Sequence, residues 1–184
     1  PFLAQRGIGA GFESILFTDV RNIQEVRDCI IAARPDHPDH KGMYGVATRR
    51  NSFMGYGGSQ EYVDNVADTV LAFMIEKKGA VDNLEEILSE PGVEMTQWGG
   101  SDFSMGIGKP KQMDAPEVKA AKKKTFELSM KMGIPTRAEI KSADEMKEYL
   151  DMGVRHFSLG TDILILYTFW KSEGEKVLRA MEGE

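Results

Sequence analysis

The chain has 184 residues, of which 41% are hydrophobic and 28% charged, a composition typical of a water-soluble globular protein with one sizeable core. Its net charge is −6 and its basic residues are dispersed apart from Lys122–Lys124, so we expect no nucleic-acid partner. The single cysteine, Cys29, excludes an intrachain disulfide, and nothing predicts a membrane span or an export signal. We expect a cytoplasmic protein with no membrane association and one domain over residues 1–184.

Five apolar runs rich in β-branched residues recur along the chain, and each precedes a helix signal. These runs cover residues 14–20, 70–75, 93–98, 134–140 and 154–160. After the first, second and fourth runs a capping side chain precedes a glutamate, as in Asn22 and Glu25, Asp82 and Glu85, and Ser142 and Glu145. The third run leads to a helix that begins near Asp114 with Pro116 in its first turn, and the fifth to a helix over 163–180 interrupted by Gly174.

Strands that alternate with helices of this length pair in parallel through right-handed crossovers, so the predicted class is α/β. Two glycine-rich stretches do not fit nucleotide motifs. Gly7–Gly11 precedes a strand instead of following one, and Gly106–Lys109 is followed by Pro110 where a phosphate-binding loop has Ser or Thr. Five units are three fewer than in a closed (β/α)₈ barrel of roughly 250 residues. We expect the chain to hold the last five units of a TIM barrel, with a further segment before Pro1.

Two carboxylates lie where a parallel barrel carries its chemistry, at the carboxyl ends of strands and in the loops that follow. Glu76 directly follows the second apolar run, and Asp102 follows the glycine-rich turn after the third. Neighbouring parallel strands lie roughly 4.8 Å apart, so both side chains can converge on one hard cation such as Mg²⁺ or Mn²⁺. Each also has a structural alternative, because Glu76 could pair with Lys77 or Lys78 and Asp102 could cap the following turn.

The segments around these carboxylates resemble the metal-site region of the HpcH/HpaI aldolases, class II pyruvate aldolases of the phosphoenolpyruvate/pyruvate-binding barrel superfamily. The resemblance rests on the glutamate with its downstream Asn-Leu, the Pro-Gly-Val turn and the Gly-x-x-Asp-Phe-Ser loop, in residues 74–84, 91–95 and 99–108. It extends from the Ile15 strand to the Leu164 helix.

The resemblance implies a role for each matching residue. Glu76 and Asp102 match the ligands of a divalent metal, Mg²⁺ or Mn²⁺ with Co²⁺ as an alternative, and Gly100, Ser101 and Asp102 match the loop whose backbone N–H groups hold the substrate carboxylate. The implied reaction forms or cleaves a carbon–carbon bond of a 4-hydroxy-2-oxo acid, with a 2-oxo acid and an aldehyde as partners and a metal-bound pyruvate enolate between them. The family's catalytic arginine and histidine would precede Pro1, so no catalytic residue is expected within this chain. Family members associate through the last helix, and we expect a homo-oligomer.

The chain departs from the family pattern near the expected site. Gly100 stands where the family often has proline, Thr18 lies near another common proline, and Lys77-Lys78 replaces threonine-arginine. None of these changes removes a ligand, but they leave the second substrate open. Two alternative functions also stay open: a citrate-lyase-like or malyl-CoA-lyase-like acyl-CoA lyase, and a non-catalytic metal-binding or assembly subunit.

Four other polar residues are candidates for substrate selection. Arg137 and Glu139 are two apart on a predicted strand and point to the same side, so they either bond each other or help to select the second substrate. Arg49 and Arg50 lie in a stretch of loop composition, 48–61, which predicts either a mobile mouth that attracts anions or a plain connection.

Two groups of polar residues are predicted to have structural and not functional roles. The segment Asp36-His37-Pro38-Asp39-His40 follows a helix, at the end opposite the strand ends, and is predicted to be a polar loop instead of a metal cluster. Lys77 and Lys78 show no sign of the desolvation that a Schiff-base lysine requires, so we expect them to lie on a solvated face.

Overall fold

A computed structural model describes residues 2–46 and 57–183. The chain divides into two compact units, Pro1–Arg137 and Ala138–Glu184. Arg49 and Arg50 lie outside the described residues, so their role in attracting anions stays a prediction. No helix within the described ranges is both long and apolar enough to cross a membrane.

The first unit alternates strands and helices along the chain. Its elements are α1 (Phe2–Gly9), β1 (Ser14–Phe17), α2 (Ile23–Ala33), α3 (Gln60–Ala67), β2 (Val70–Ile75), α4 (Lys78–Asp82), α5 (Leu84–Leu88), β3 (Met95–Trp98), α6 (Gly100–Gly106) and α7 (Pro116–Lys131). The strand β4 (Thr136–Ile140) begins in this unit and ends in the second. The Asn22 Oδ1 accepts a hydrogen bond of 3.0 Å from the Glu25 N–H, which confirms the N-cap predicted for α2.

The strands β1, β2 and β3 pair in parallel in chain order, and β3 pairs in the same way with the start of β4. The register places Phe17 beside Phe73 and Ile75 beside Trp98. The carboxyl ends of these strands therefore lie at one edge of the sheet. This pairing confirms the predicted α/β class.

The core of the first unit surrounds β2. Leu71, Phe73 and Ile75, which share one face of the strand, are fully buried, and Ala72 on the opposite face is buried as well, as in a parallel sheet that is covered on both faces. Helix residues of the same buried cluster are Val26, Leu84, Ile87, Val118 and Ala121. This packing fixes the carboxyl end of β2, where Glu76 begins the next segment.

The second unit holds the end of β4, a 3₁₀ turn (Ala143–Glu145), α8 (Met146–Asp151), β5 (His156–Leu159) and α9 (Asp162–Glu182). The strand order is β1-β2-β3-β4-β5, which confirms the five predicted strands. The helix α9 continues through Gly174, where the sequence predicted an interruption, because a single glycine costs a helix only about 1 kcal/mol. Apolar side chains of α9 such as Ile163 and Trp170 are exposed, and the homo-oligomer stays a prediction.

Three details of the first unit differ from the sequence predictions. The helix α1 includes residues predicted as a glycine-rich turn. The helix α3 begins inside the predicted 48–61 loop, where the Ser59 side chain caps it by accepting from the Tyr62 N–H. Asp82 does not cap a helix: it ends α4, where its carboxylate pairs with Lys78 one turn earlier.

Arg34, which follows α2, joins three segments of the first unit. Its buried guanidinium donates to the carbonyl groups of Ala67 and Thr69, each at 2.7 Å. It also pairs with Glu94, whose other carboxylate oxygen accepts from the Leu71 N–H at 2.7 Å. One side chain therefore connects α2 to the segments that start β2 and β3.

We expect Arg34→Met to lower the free energy of unfolding by roughly 1–3 kcal/mol, because it leaves buried carbonyl groups without a donor. Arg27→Met is the matched control, since the Arg27 side chain is 48% exposed beside Glu90 and its removal should change stability little. Urea unfolding of both variants measures the difference. Equal losses would show that the Arg34 contacts contribute no more than a surface ion pair.

Candidate metal and substrate site at the strand ends

Three carboxylates follow three neighbouring strands at the same edge of the sheet. Asp19 lies two residues after β1, Glu76 directly follows β2, and Asp102 lies in the first turn of α6, after β3. The sequence predicted Glu76 and Asp102 as a converging pair. It missed Asp19, although the rule that selected the other two, an acidic residue just after a strand, also selects this one.

Glu76 is held between the segments that follow β1 and β3. Glu76 is only 4% exposed, and its Oε1 accepts a hydrogen bond of 2.8 Å from the Asp19 N–H. On the other side, a Cβ built on Gly99 would lie 2.5 Å from the Glu76 Cβ and 2.7 Å from its Oε2. The carboxylate therefore has a fixed position that depends on a backbone donor and on a missing side chain.

Burial is the main cause of a raised pKa at Glu76. The Asp19 N–H opposes it by donating to the charged form, the Asp102 and Asp19 carboxylates add to it by like-charge repulsion, and the Lys77 ammonium opposes it. The Asp102 effect means that these two carboxylates interact across the strand ends.

Asp19 adopts a left-handed backbone conformation, with φ 66°. Few residues other than glycine adopt it, and Asp and Asn tolerate it best because their short side chains bond locally. In this conformation the Asp19 N–H reaches the Glu76 carboxylate. Strained backbone of this kind concentrates at functional sites, where the surrounding structure maintains it.

Lys77 connects two of the carboxylates. Its Nζ lies 2.7 Å from the Asp19 Oδ1 and 3.0 Å from the Asp102 Oδ1, and its side chain is 18% exposed. These hydrogen bonds, to Asp19 first and then to Asp102, raise the pKa of Lys77, and the bond to Lys77 is the main cause of a lowered pKa at Asp19. The prediction that Lys77 lies on a solvated face is therefore wrong, because its ammonium is turned toward the strand ends.

The start of α6 has no side-chain cap. The N-cap, Gly99, has no side chain to bond the first-turn N–H groups, and such groups have no partner within a helix. Gly100, Ser101 and Asp102, the predicted substrate-binding residues, form that first turn. These residues were predicted to form a loop, but they lie in a helix, and a helix dipole favours negative charge at its start.

Both glycines before Ser101 have packing reasons to lack a side chain. Glu76 fills the space beside Gly99. A Cβ on Gly100 would lie 2.8 Å from the Trp98 Nε1 and would also overlap the Met113 Cε. Close approach of neighbouring protein atoms thus accounts for the missing side chain at both positions.

Other candidate residues have partners of their own or are exposed. The Arg137 Nε donates to the Gln97 Oε1 at 2.6 Å, and Glu139 is exposed. The His37 Nδ1 lies 3.6 Å from an Asp39 carboxylate oxygen. Within the described ranges, no three or more His, Cys, Asp or Glu side chains are grouped closely enough to hold a metal by themselves. A cation at the strand ends would therefore take its remaining ligands from water or substrate.

A parallel sheet with chemical groups at its carboxyl ends is the arrangement of TIM-barrel enzymes. The profile of the family described as HpcH/HpaI aldolase/citrate lyase matches residues 3–167, and the chain belongs to this family. A family protein of known structure from Burkholderia cenocepacia J2315 superimposes with a TM-score of 0.80 at 20% identity, over 96% of this chain and 69% of that one. The predicted barrel fold and family are confirmed.

Two curated relatives are named as aldolases. The chain is 27% identical to a hydroxypyruvate/pyruvate aldolase of Sagittula stellata over 164 residues, which cover 88% of this chain and 62% of that protein. It is 25% identical to a 4-hydroxy-2-oxo-heptane-1,7-dioate aldolase of Escherichia coli over 167 residues, which cover 90% and 63%. The matched region thus spans less than two thirds of either relative.

We expect Gly99→Ala to destabilise the first unit by roughly 1–3 kcal/mol, because its new methyl group would overlap the Glu76 side chain. The Gly99 backbone, with φ −112°, is open to alanine, so the overlap is the main cause. Gly106→Ala in the same helix is the control, since no other atom lies within 4 Å of the added carbon. Denaturant unfolding should show a loss for the first variant only, and equal effects would mean that Glu76 is not held against Gly99.

The raised pKa of Glu76 predicts a pH effect in metal-free protein. The folded state binds this proton more tightly than the unfolded state, so the contribution to stability is present below the ordinary value of 4.5 and is lost as pH rises through the raised value. Glu76→Gln removes this loss. Urea unfolding with a chelator from pH 4 to pH 8 should therefore show the variant gaining stability relative to the wild type as pH rises. A difference in unfolding free energy between the two proteins that does not change with pH would contradict this prediction.

Proposed function

We propose that the protein containing this chain is a divalent-metal-dependent aldolase that forms or cleaves a carbon–carbon bond of a 4-hydroxy-2-oxo acid. In this proposal Glu76 and Asp102 are the metal ligands, and the Gly100–Asp102 backbone binds the substrate carboxylate. The observation that carries it is the burial of an interacting carboxylate, Glu76, at the strand ends of a chain that belongs to an aldolase and citrate lyase family.

The residues at the strand ends fit a hard divalent cation. Carboxylate oxygens are the ligands that Mg²⁺ and Mn²⁺ favour, and such ions commonly keep several water ligands beside one or two carboxylates. When Asp19, Glu76 and Asp102 are ionised and Lys77 is charged, the cluster carries a net charge of −2. A divalent cation would neutralise that charge and relieve the like-charge repulsion that adds to burial in raising the pKa of Glu76. The same reasoning allows Co²⁺ as well, although it favours Co²⁺ less than Mg²⁺ or Mn²⁺.

The chain's own residues supply position and orientation. The Asp19 N–H and the close approach of Gly99 fix the Glu76 carboxylate, so that it does not have to reorganise when a cation binds. The first-turn N–H groups of α6 orient the carboxylate of a 2-oxo acid beside Asp102. A bound cation supplies Lewis-acid stabilisation of the negative charge that develops on the oxo oxygen.

The aldolase reading is preferred to the two alternatives because both curated relatives described above are named as aldolases of 2-oxo acids. An acyl-CoA lyase would have to recognise an adenine nucleotide, so affinity for such a nucleotide would favour that alternative instead. The aldehyde partner, the metal, the cytoplasmic location and the oligomeric state stay predictions, as do the upstream arginine and histidine.

We expect Mn²⁺ to raise the melting temperature of chelator-treated protein, because the ion binds the folded state and not the unfolded state. A Glu76→Gln, Asp102→Asn double variant should lose that rise, because it lacks the two proposed ligands. In the full-length protein that contains this chain, the same double variant should lower pyruvate release from 4-hydroxy-2-oxo acids, and exchange of the pyruvate methyl protons in D₂O, by roughly 10²-fold or more.

Glu90→Gln is the matched control, since Glu90 pairs with Arg27 away from the strand ends. This variant should leave the Mn²⁺ shift in melting temperature and the activity unchanged. An undiminished Mn²⁺ shift in the double variant would remove these two ligands from the proposal. Turnover of acyl-CoA thioesters without turnover of 4-hydroxy-2-oxo acids would replace the aldolase by the acyl-CoA lyase.

A further inference from the structure

The Lys77 ammonium contacts the Asp102 carboxylate, which the proposed function assigns to a metal. Its Nζ donates to the Asp102 Oδ1 at 3.0 Å while it lies 2.7 Å from the Asp19 Oδ1. Lys77 directly follows Glu76, and its extended backbone, with φ −112° and ψ 144°, carries the side chain across the strand ends. One monovalent cation of the chain thus sits between two carboxylates on either side of β2.

A divalent cation on Asp102 would meet this ammonium at close range. Like charges in contact repel one another, although the 44% exposure of the Asp102 side chain lets water and salt screen part of this repulsion. The ion would therefore compete with Lys77 for Asp102. The displaced ammonium does not have to leave the site, because its contact with Asp19 is separate from its contact with Asp102.

Asp19 is suited to receive the displaced ammonium. Its carboxylate lies on the far side of Glu76 in the strand order, and its side chain is 60% exposed, so it can accommodate Lys77 without burying a new charge. Its backbone N–H holds Glu76 at the same time. Asp19 therefore contacts Glu76, which is one proposed metal ligand. It also contacts Lys77, which competes with the metal for Asp102, the other proposed ligand.

We propose that Lys77 is an internal counter-ion that occupies Asp102 until a divalent cation binds, and that Asp19 is the carboxylate to which Lys77 then moves. Lys77 and Asp19 are in this view positioning residues that set the metal affinity without binding the metal. The inference rests on the proposed function, in that it takes Glu76 and Asp102 as the metal ligands.

The test is Mn²⁺ affinity at fixed ionic strength, measured by calorimetry and by the electron paramagnetic resonance of free Mn²⁺. Lys77→Met removes the competitor and should tighten binding on the order of tenfold, a coupling typical of charges in contact. Asp19→Asn keeps a residue that tolerates the left-handed backbone but gives Lys77 only one charged partner, so it should weaken binding by a similar factor.

The double variant separates this exchange from general electrostatics. With Lys77 replaced by Met, the further change Asp19→Asn should weaken binding less than it does in the wild type, since only the charge of Asp19 is then lost and no ammonium remains to be received. Lys78→Met is the matched control, because it removes the same charge one residue away, where Lys78 pairs with Asp82, and it should leave the affinity close to that of the wild type. Lys77→Arg keeps a cation and should not tighten binding.

Weaker binding in Lys77→Met, or an Asp19→Asn effect of equal size in both backgrounds, would overturn the exchange. If Lys77→Met does not fold, the Asp19→Asn and Lys77→Arg results still decide the matter, since unchanged affinity in the first or tighter binding in the second would each overturn it. Mn²⁺ binding that does not depend on Glu76 would overturn the proposed function as well, whereas Glu76-dependent binding without coupling between Lys77 and Asp19 would overturn this inference alone.

Discussion

The burial of one carboxylate, Glu76, is the constraint on which the rest of the site depends. An anion at the end of the most buried strand requires a donor, and the Asp19 N–H provides it from the segment after β1 at 2.8 Å. It also requires space, which the absence of a side chain at Gly99 provides. Three consecutive strand ends are therefore fixed relative to one another by a single acidic side chain.

The same constraint also determines the residue at the N-cap of α6. Ser, Thr, Asp or Asn at the N-cap would stabilise a helix, but any of them at Gly99 would collide with Glu76. The first-turn N–H groups are consequently left without a side-chain cap. The position of the proposed metal ligand and the opening of the proposed anion site thus have one physical cause.

The sequence predicted some of these features at the level of individual residues. The strand β2 was predicted with its observed bounds, because burial on both faces gives a continuous apolar run, and Glu76 followed from its end. The role of Lys77 was not predictable in the same way. Its partners, Asp19 and Asp102, are distant in sequence and meet only through the pairing of β1, β2 and β3, so a lysine beside another lysine looked solvated. Asp19 itself was within reach of the strand-end rule, but its left-handed backbone leaves no sequence pattern when the residue is not glycine.

The central claim is that Glu76 and Asp102 bind the same divalent ion. Its most direct test is a crystal of the protein grown with Mn²⁺, with diffraction data collected at the manganese absorption edge. We expect one strong anomalous peak within roughly 2.0–2.5 Å of carboxylate oxygens of both residues. A well-ordered crystal with no anomalous peak there, or with its main peak beside His37 and His40, would contradict it.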